Sequence, residues 1–97
     1  MIGGQRKRRD ETLLRNIAKG HRYFGLIMSG QSYAQIAETK NTSKRMVQHL
    51  TEFAFLSPEI VEQICEGCQP PGLTTEWLKR HKIPVLWSEQ RALFAGL

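Results

Sequence analysis

Cysteine is scarce in this chain: two residues in 97 are too few for the disulfide framework of a small secreted domain. No run approaches the ~18 consecutive apolar residues that a membrane span requires. The first residues hold no apolar core ahead of a small-residue cleavage site, so no secretory signal is expected. Alternating polar and apolar runs, internal repeats and low-complexity tracts are missing too, which removes the usual signs of strands and solenoids. What remains is a helical domain expected in a reducing cytoplasm.

Acid is also short where base is plentiful. Residues 1–50 hold ten Lys/Arg against three Asp/Glu, a balance of +7, while residues 51–97 hold four against six, a balance of −2. A basic half beside a mildly acidic one points to one polyanion-facing surface rather than general stickiness. A hydrophobic share of 40% in a chain of this length is enough for one core, so a single domain is expected.

Residues 1–9 (MIGGQRKRR) are glycine-containing and basic, without apolar periodicity after Ile2, and read as a flexible arm carrying Arg6, Lys7, Arg8 and Arg9. Residues 10–97 form the domain proper. Asp10 is placed to cap a helix reaching about Ser29, with Leu13, Ile17, Phe24 and Met28 on one stripe and Leu14 and Ile27 widening it. Gly20 and Gly25 each cost such a helix about 1 kcal/mol relative to alanine, so a bend or break is expected near Gly20-His21. Gly30 closes it. Ser32 to Gln35 has the S-x-x-Q form of a capping box and opens a short helix carrying Ile36 and Ala37 inward and ending near Lys40-Asn41. Another helix is expected from Thr42 or Ser43 to about Phe55, with Met46, Val47, Leu50 and Phe53 or Ala54 facing the core. Ser57-Pro58 starts a further helix through Ile60, Val61 and Ile64, stopped by Gly67. Gln69-Pro70-Pro71-Gly72 is a rigid turn, Thr74 or Thr75 caps a short helix with Trp77 and Leu78, and Ser88 is expected to cap a last one with Leu93 and Phe94. Ile83-Pro84-Val85 should be extended, since proline disfavours helix in the residue before it. The fold class is all-α: a helix-turn-helix domain with additional C-terminal short helices.

The stretch Tyr33 to Glu52 has the internal logic of that motif. Ala37 is small where two helices cross, Asn41 tolerates positive φ in a tight turn, and Val47 stands ten positions after the alanine to lock the second helix onto the first. Ile36 and Leu50 complete the contacts. This register turns Ser43, Lys44, Arg45, Gln48 and His49, with Glu52 behind them, away from the core. Arg and Lys donate to guanine edges, Gln pairs with adenine, and Ser and Thr contact phosphate. A merely solvated face would balance Glu against Lys, whereas positions 42–49 carry no acid. The expected DNA-binding residues are therefore Thr42, Ser43, Lys44, Arg45, Gln48 and His49. The basic arm is expected to follow the backbone or enter a minor groove, and Ser32 and Gln35 open a helix whose N-terminus suits a phosphate.

Other signals look chemical without supporting chemistry. Cys65 and Cys68 have C-x-x-C spacing, but no second ligand pair accompanies them for zinc, and they end a helix rather than begin one beside a strand. Cys65, at i+4 from Val61, reads as core. His21, His49 and His81 are scattered without a nucleophile or acid at helical spacing. Ser32, Ser43, Ser57 and Ser88 read as caps, and Trp77 and Trp87 as core anchors rather than base-stacking platforms. No catalytic residue, metal ligand or cofactor is expected.

The order of parts resembles the C-terminal region of bacterial resolvase-type site-specific serine recombinases. There a helix-turn-helix precedes a segment like Leu56-Ser57-Pro58-Glu59-Ile60-Val61-Glu62-Gln63-Ile64, a turn like Gln69-Pro70-Pro71-Gly72-Leu73-Thr74, and an ending like Trp87-Ser88-Glu89-Gln90-Arg91. The likeness covers about residues 3–97, and the last two motifs are its most specific part. Residues Ser32 to Ile64 also look like the DNA-binding domain of ParB-type partition proteins. The resemblance implies a DNA-binding role for Thr42 to His49. It does not bring catalysis, because the nucleophilic serine and its arginine cluster lie in a separate α/β domain in such recombinases and nothing here matches it. The chain then reads as a detached DNA-binding part, a piece of a longer protein, or a remnant.

The expected partner is double-stranded DNA, read in a sequence-directed way by a nucleoid-associated protein of bacterial or phage type, with a homodimer as a further expectation. Neither a membrane nor a small-molecule substrate is expected. The alternatives are a ParB-type partition or transcription regulator, a protein–protein adaptor using the C-terminal half, and an enzyme fragment. Carrying −2, the C-terminal half is expected to stay off phosphate and brace the motif or pair with another copy.

Overall fold

The computed structural model describes residues 9–97. Among these, six α-helices and one 3-10 turn follow one another without a strand: α1 (Glu11–Met28), α2 (Tyr33–Thr39), α3 (Lys44–Glu52), the 3-10 turn Phe53–Phe55, α4 (Pro58–Cys65), α5 (Thr75–Arg80) and α6 (Trp87–Phe94). The protein is all-α.

Local chemistry sets most of the boundaries. The side chains of Asp10, Ser32, Ser43, Ser57 and Thr74 each accept the backbone N–H three residues on, at the starts of α1 to α5. Such a cap satisfies one of the orphan donors of the first turn and stabilises by about 1 kcal/mol. Three helices end in the same way. Past α1, Gly30 (φ 110°) donates to the Ile27 carbonyl and Gln31 to that of Leu26. Past α2, Asn41 (φ 55°) donates to Glu38 and Thr42 to Ala37, and past α4, Gly67 (φ 75°) donates to Ile64 and Cys68 to Gln63. These paired bonds need a left-handed residue one step beyond the cap, which glycine and asparagine adopt most readily.

Helix α1 is the hub, packing against α2, α3, α4, α5 and the 3-10 turn. Its buried stripe is Leu13, Ile17, Gly20 and Tyr23. The expected break at Gly20 does not occur: α1 runs unbroken from Glu11 to Met28. Glycine stands there because α3 comes so close that a Cβ would fall on the carbonyl oxygen of Leu50, with the Phe53 Cβ 3.2 Å away. Met28, expected on the stripe, is 71% exposed. The last turn of α1 faces the core through Ile27, and Met28 lies about 100° further round. The helix expected to reach Phe55 leaves α geometry after Glu52 and tightens into the 3-10 turn, burying Phe53.

The C-terminal half closes over the core formed by Phe53, Leu56, Ile60, Ile64, Leu73, Leu78, Ile83 and Phe94. A polar residue ties it together. Gln90 is wholly buried; its Oε1 accepts from the Ser57 N–H (2.9 Å), and its Nε2 donates to the Phe55 and Pro84 carbonyls (both 2.8 Å). Ser88 is accordingly not the cap of the last helix. Helix α6 begins at Trp87 with Leu86 as its cap, two residues earlier than a Ser88 cap implies, and the Leu86 carbonyl takes the N–H groups of both Glu89 and Gln90. Cys65 is exposed rather than core. The buried line of α4 is Ile60 and Ile64, and Cys65 falls one residue round from it. Trp77 packs against the core, but Trp87 does not anchor it: the residue is 56% exposed, next to exposed Val85 and Leu86, where the buried line Gln90–Phe94 of α6 has not yet begun.

The two glycines of α1 should respond to alanine in opposite directions. At Gly25 nothing lies within 4 Å of the place a Cβ would take, so Gly25→Ala should stabilise by about 0.5–1 kcal/mol. Gly20→Ala should cost about 1–3 kcal/mol, as overpacked sites do, because α1 and α3 must separate. Thermal melts read both, at about 4–8 °C per kcal/mol for a domain of this size. A stabilised Gly20→Ala protein would contradict the close approach of the two helices.

Candidate nucleic-acid interface

The segment α2–turn–α3 is fixed at each joint by short-range bonds. At its start the Ser32 Oγ accepts from the Gln35 N–H (3.1 Å) while the Gln35 Oε1 accepts from the Ser32 N–H (2.8 Å), completing the capping box. Asn41 then turns the chain in the left-handed region, and the Ser43 Oγ accepts from the Met46 N–H (3.0 Å) to open α3. With Ser43 fixed as the cap, the register of α3 follows. Val47 and Leu50 point inward with Ile36 and Ala37 of α2, all four buried, and Met46 packs half-buried beside them. The placements expected of a helix-turn-helix are all present.

The opposite face of α3 is open. Lys44, Arg45 and Gln48 are exposed and His49 half-buried. With Tyr33 and Glu52 they line a shallow groove of about 710 Å³. The Arg45 Nε donates to the His49 Nε2 at 3.3 Å, one turn along. This exposed bond orders the guanidinium lengthwise along the helix without burying it. Guanidinium, ammonium, amide and imidazole groups side by side form a donor-rich surface suited to the acceptor edges of purines and to phosphate oxygens.

The other expected site residues fare unequally. Thr42 is half-buried in the turn, and Ser43 spends its hydroxyl on the α3 cap. The side chains of Ser32 and Gln35 are likewise engaged in their capping box, so the first N–H groups of α2 are what that end offers an anion. Arg9 is exposed and pairs with Glu11 at 3.6 Å. Arg6, Lys7 and Arg8 lie outside the described residues. Two groove residues are not among those the sequence marks as DNA-binding. Tyr33 opens the motif without a role assigned from the sequence, and Glu52 is expected on the outward face without being marked as a contact; both line the groove of α3. Only the angle between α2 and α3 brings Tyr33 there, and the sequence carries no signal for it.

Among the described residues no three His, Cys, Asp or Glu side chains converge as a metal would require. What fold and face define together is an all-α protein presenting one donor-rich helix. Set against family models, curated proteins and solved structures, the chain matches none.

The left-handed turn can be tested by itself. Asn41→Gly should leave the denaturation midpoint unchanged or slightly raised, since glycine takes positive φ without steric cost. Asn41→Val should lower stability by about 1–2 kcal/mol, because a β-branched side chain resists that region. Equal midpoints for the two variants would mean that the joint between α2 and α3 does not depend on the turn.

Proposed function

We propose that this protein binds double-stranded DNA in a sequence-directed way, with α3 in the major groove, as the DNA-binding part of a site-specific recombinase-like protein. One observation carries the reading: a helix-turn-helix joint that buries Val47 and Leu50 and leaves Lys44, Arg45, Gln48 and His49 on an acid-free outer turn. A major groove about 12 Å wide accepts one α-helix, and residues in the first turns of that helix meet base edges first. Lys44, Arg45, Gln48 and His49 occupy those turns. The segments Leu56 to Ile64, Gln69 to Thr74 and Trp87 to Arg91 favour the recombinase context over a ParB-type regulator, whose likeness stops at Ile64. The basic arm would add backbone or minor-groove contacts beside α3.

Duplexes selected from a random pool give the preferred site. On it, Arg45→Ala and Gln48→Ala should each cost about 1–3 kcal/mol, with little loss on random DNA and little change in melting. Equal losses on both DNAs would reduce the two residues to backbone contacts, and a wild-type protein without any preferred sequence would end the proposal.

The arm is tested by deletion of residues 1–9. Melting should hardly move, affinity should fall, and the slope of log K against log salt should flatten by up to about 0.9 for each phosphate that is no longer neutralised. An unchanged slope would show that the arm stays off the DNA.

A further inference from the structure

Three of the four Lys/Arg of residues 51–97 stand within four positions, in Lys79-Arg80-His81-Lys82. They close α5 and begin the segment after it, with Arg80, His81 and Lys82 exposed. Cations in a last helical turn are favoured by the helix dipole, which accounts for Lys79 and Arg80. That effect falls off within the turn and does not account for Lys82, beyond the helix end.

Position is the second observation. The four residues share a groove of about 250 Å³ with His49 and Glu52 of α3. Those same two residues line the far end of the groove that holds Lys44, Arg45 and Gln48. The two grooves therefore adjoin, with His49 and Glu52 lining both. The rise of about 1.5 Å per residue puts Glu52 about 10 Å along α3 from Arg45, at the end of the helix that faces the Lys79–Lys82 cluster. His81 holds the far wall in place. Its Nδ1 donates to the Trp77 carbonyl (2.8 Å), and its ring stacks on the Trp77 indole at 4.1 Å between centroids and 13° between planes. Trp77 in turn meets Phe94 of the core edge-on. Among the described residues the ion pairs are Arg9–Glu11 and Glu59–Arg91; Glu76, three and four positions before Lys79 and Arg80 on α5, forms no ion pair with them but stands one turn away and offsets part of their charge, while Lys82 lies beyond the helix end. Glu52 is the one acid lining the two grooves.

We propose that Lys79, Arg80 and Lys82 form a backbone clamp, gripping the phosphates that border the major groove occupied by α3. The inference rests on the DNA-binding reading of α3 and adds to it a contact from the half of the chain expected to stay off phosphate. That expectation treats −2 as spread evenly, whereas Lys79, Arg80 and Lys82 are clustered, with Glu76 the nearest acid along the chain. The clamp positions α3 without reading sequence, since phosphate contacts carry no base information. Glu52, between base-facing helix and clamp, opposes the phosphate on its own side.

The test uses the full chain with Lys79, Arg80 and Lys82 replaced together by Ala, leaving His81 and its stack in place. A matched variant with Arg15, Lys19 and Arg22 of α1 replaced by Ala loses the same charge away from both grooves. Binding is measured over a salt series on the preferred duplex and on a random one. The clamp variant should melt like wild type and bind both duplexes at least about tenfold more weakly. Its salt slope should flatten by roughly two to three units, at about 0.9 per phosphate, with the selected sequence unchanged. Glu52→Gln should bind somewhat more tightly. A clamp variant with wild-type affinity and slope, in a protein whose binding still depends on Arg45 and Gln48, overturns the clamp and leaves the α3 reading intact. Equal losses in the matched variant also overturn it, reducing the effect to net charge, as would a changed sequence preference. A wild-type protein that binds no duplex would remove the α3 reading itself, and the clamp with it.

Discussion

The arrangement of this protein depends on the approach of α1 to α3 at Gly20, where helix backbone meets the Leu50 carbonyl with no room for a Cβ. A mid-helix glycine costs about 1 kcal/mol. The close approach it permits places Leu50 and Phe53 in one buried cluster with Leu13 and Ile17, and each such side chain contributes about 1.5–3 kcal/mol. Burial outweighs the propensity loss several-fold, so the helix stays whole. The consequence reaches the outer surface. Nine residues are too few for a helix to be stable alone in water, so α3 exists as a helix because α1 and α2 hold it. Its outward face is oriented by two small residues, Gly20 beneath its C-terminal half and Ala37 beside its start.

The second half is organised differently. Helix α6 buries little apolar surface besides Phe94, and its place is set by the amide of Gln90. A buried amide without partners would cost about 1–3 kcal/mol. Here both amide N–H donors and the oxygen are engaged, and they satisfy three backbone groups in two irregular segments that no helix or sheet ladder serves. The exposed Arg91–Glu59 pair at 3.4 Å crosses between the same two helices, α4 and α6, but solvent screening leaves such pairs worth little. Direction comes from the amide.

What could be read in the sequence follows the range of each interaction. Caps act over three residues and left-handed stops over five, so Asp10, Ser32, Ser43, Ser57, Gly30, Asn41 and Gly67 all sit where their chemistry puts them. The α3 register was legible for the same reason: with Ser43 fixed, periodicity alone sends Val47 inward and Arg45 outward. Met28 is turned outward by one step of helical register; the other misreadings involve distant partners. Gly20 looks like a helix breaker until Leu50 lies over it. Ser88 looks like a cap until Gln90 reaches Ser57 and Phe55 from a helix that starts two residues sooner. Trp87 and Cys65 look like core because of their residue type and spacing, while whether anything covers them is decided elsewhere in the chain.

Charge shows the same limit. Summing over halves suggests a basic face and an acidic remainder, but the field felt at a surface is local. At physiological ionic strength exposed charges farther apart than ~8 Å are largely screened from one another. The acids placed to offset Lys79, Arg80 and Lys82 are Glu52, lining the same groove, and Glu76, one turn back on α5. The relevant unit of charge is the set of residues lining one groove. On that basis the two adjoining grooves hold Lys44, Arg45, Lys79, Arg80 and Lys82 against Glu52, with Glu76 beside them on α5. Both halves of the chain contribute to it, because α1 packs against α3 and α5 alike.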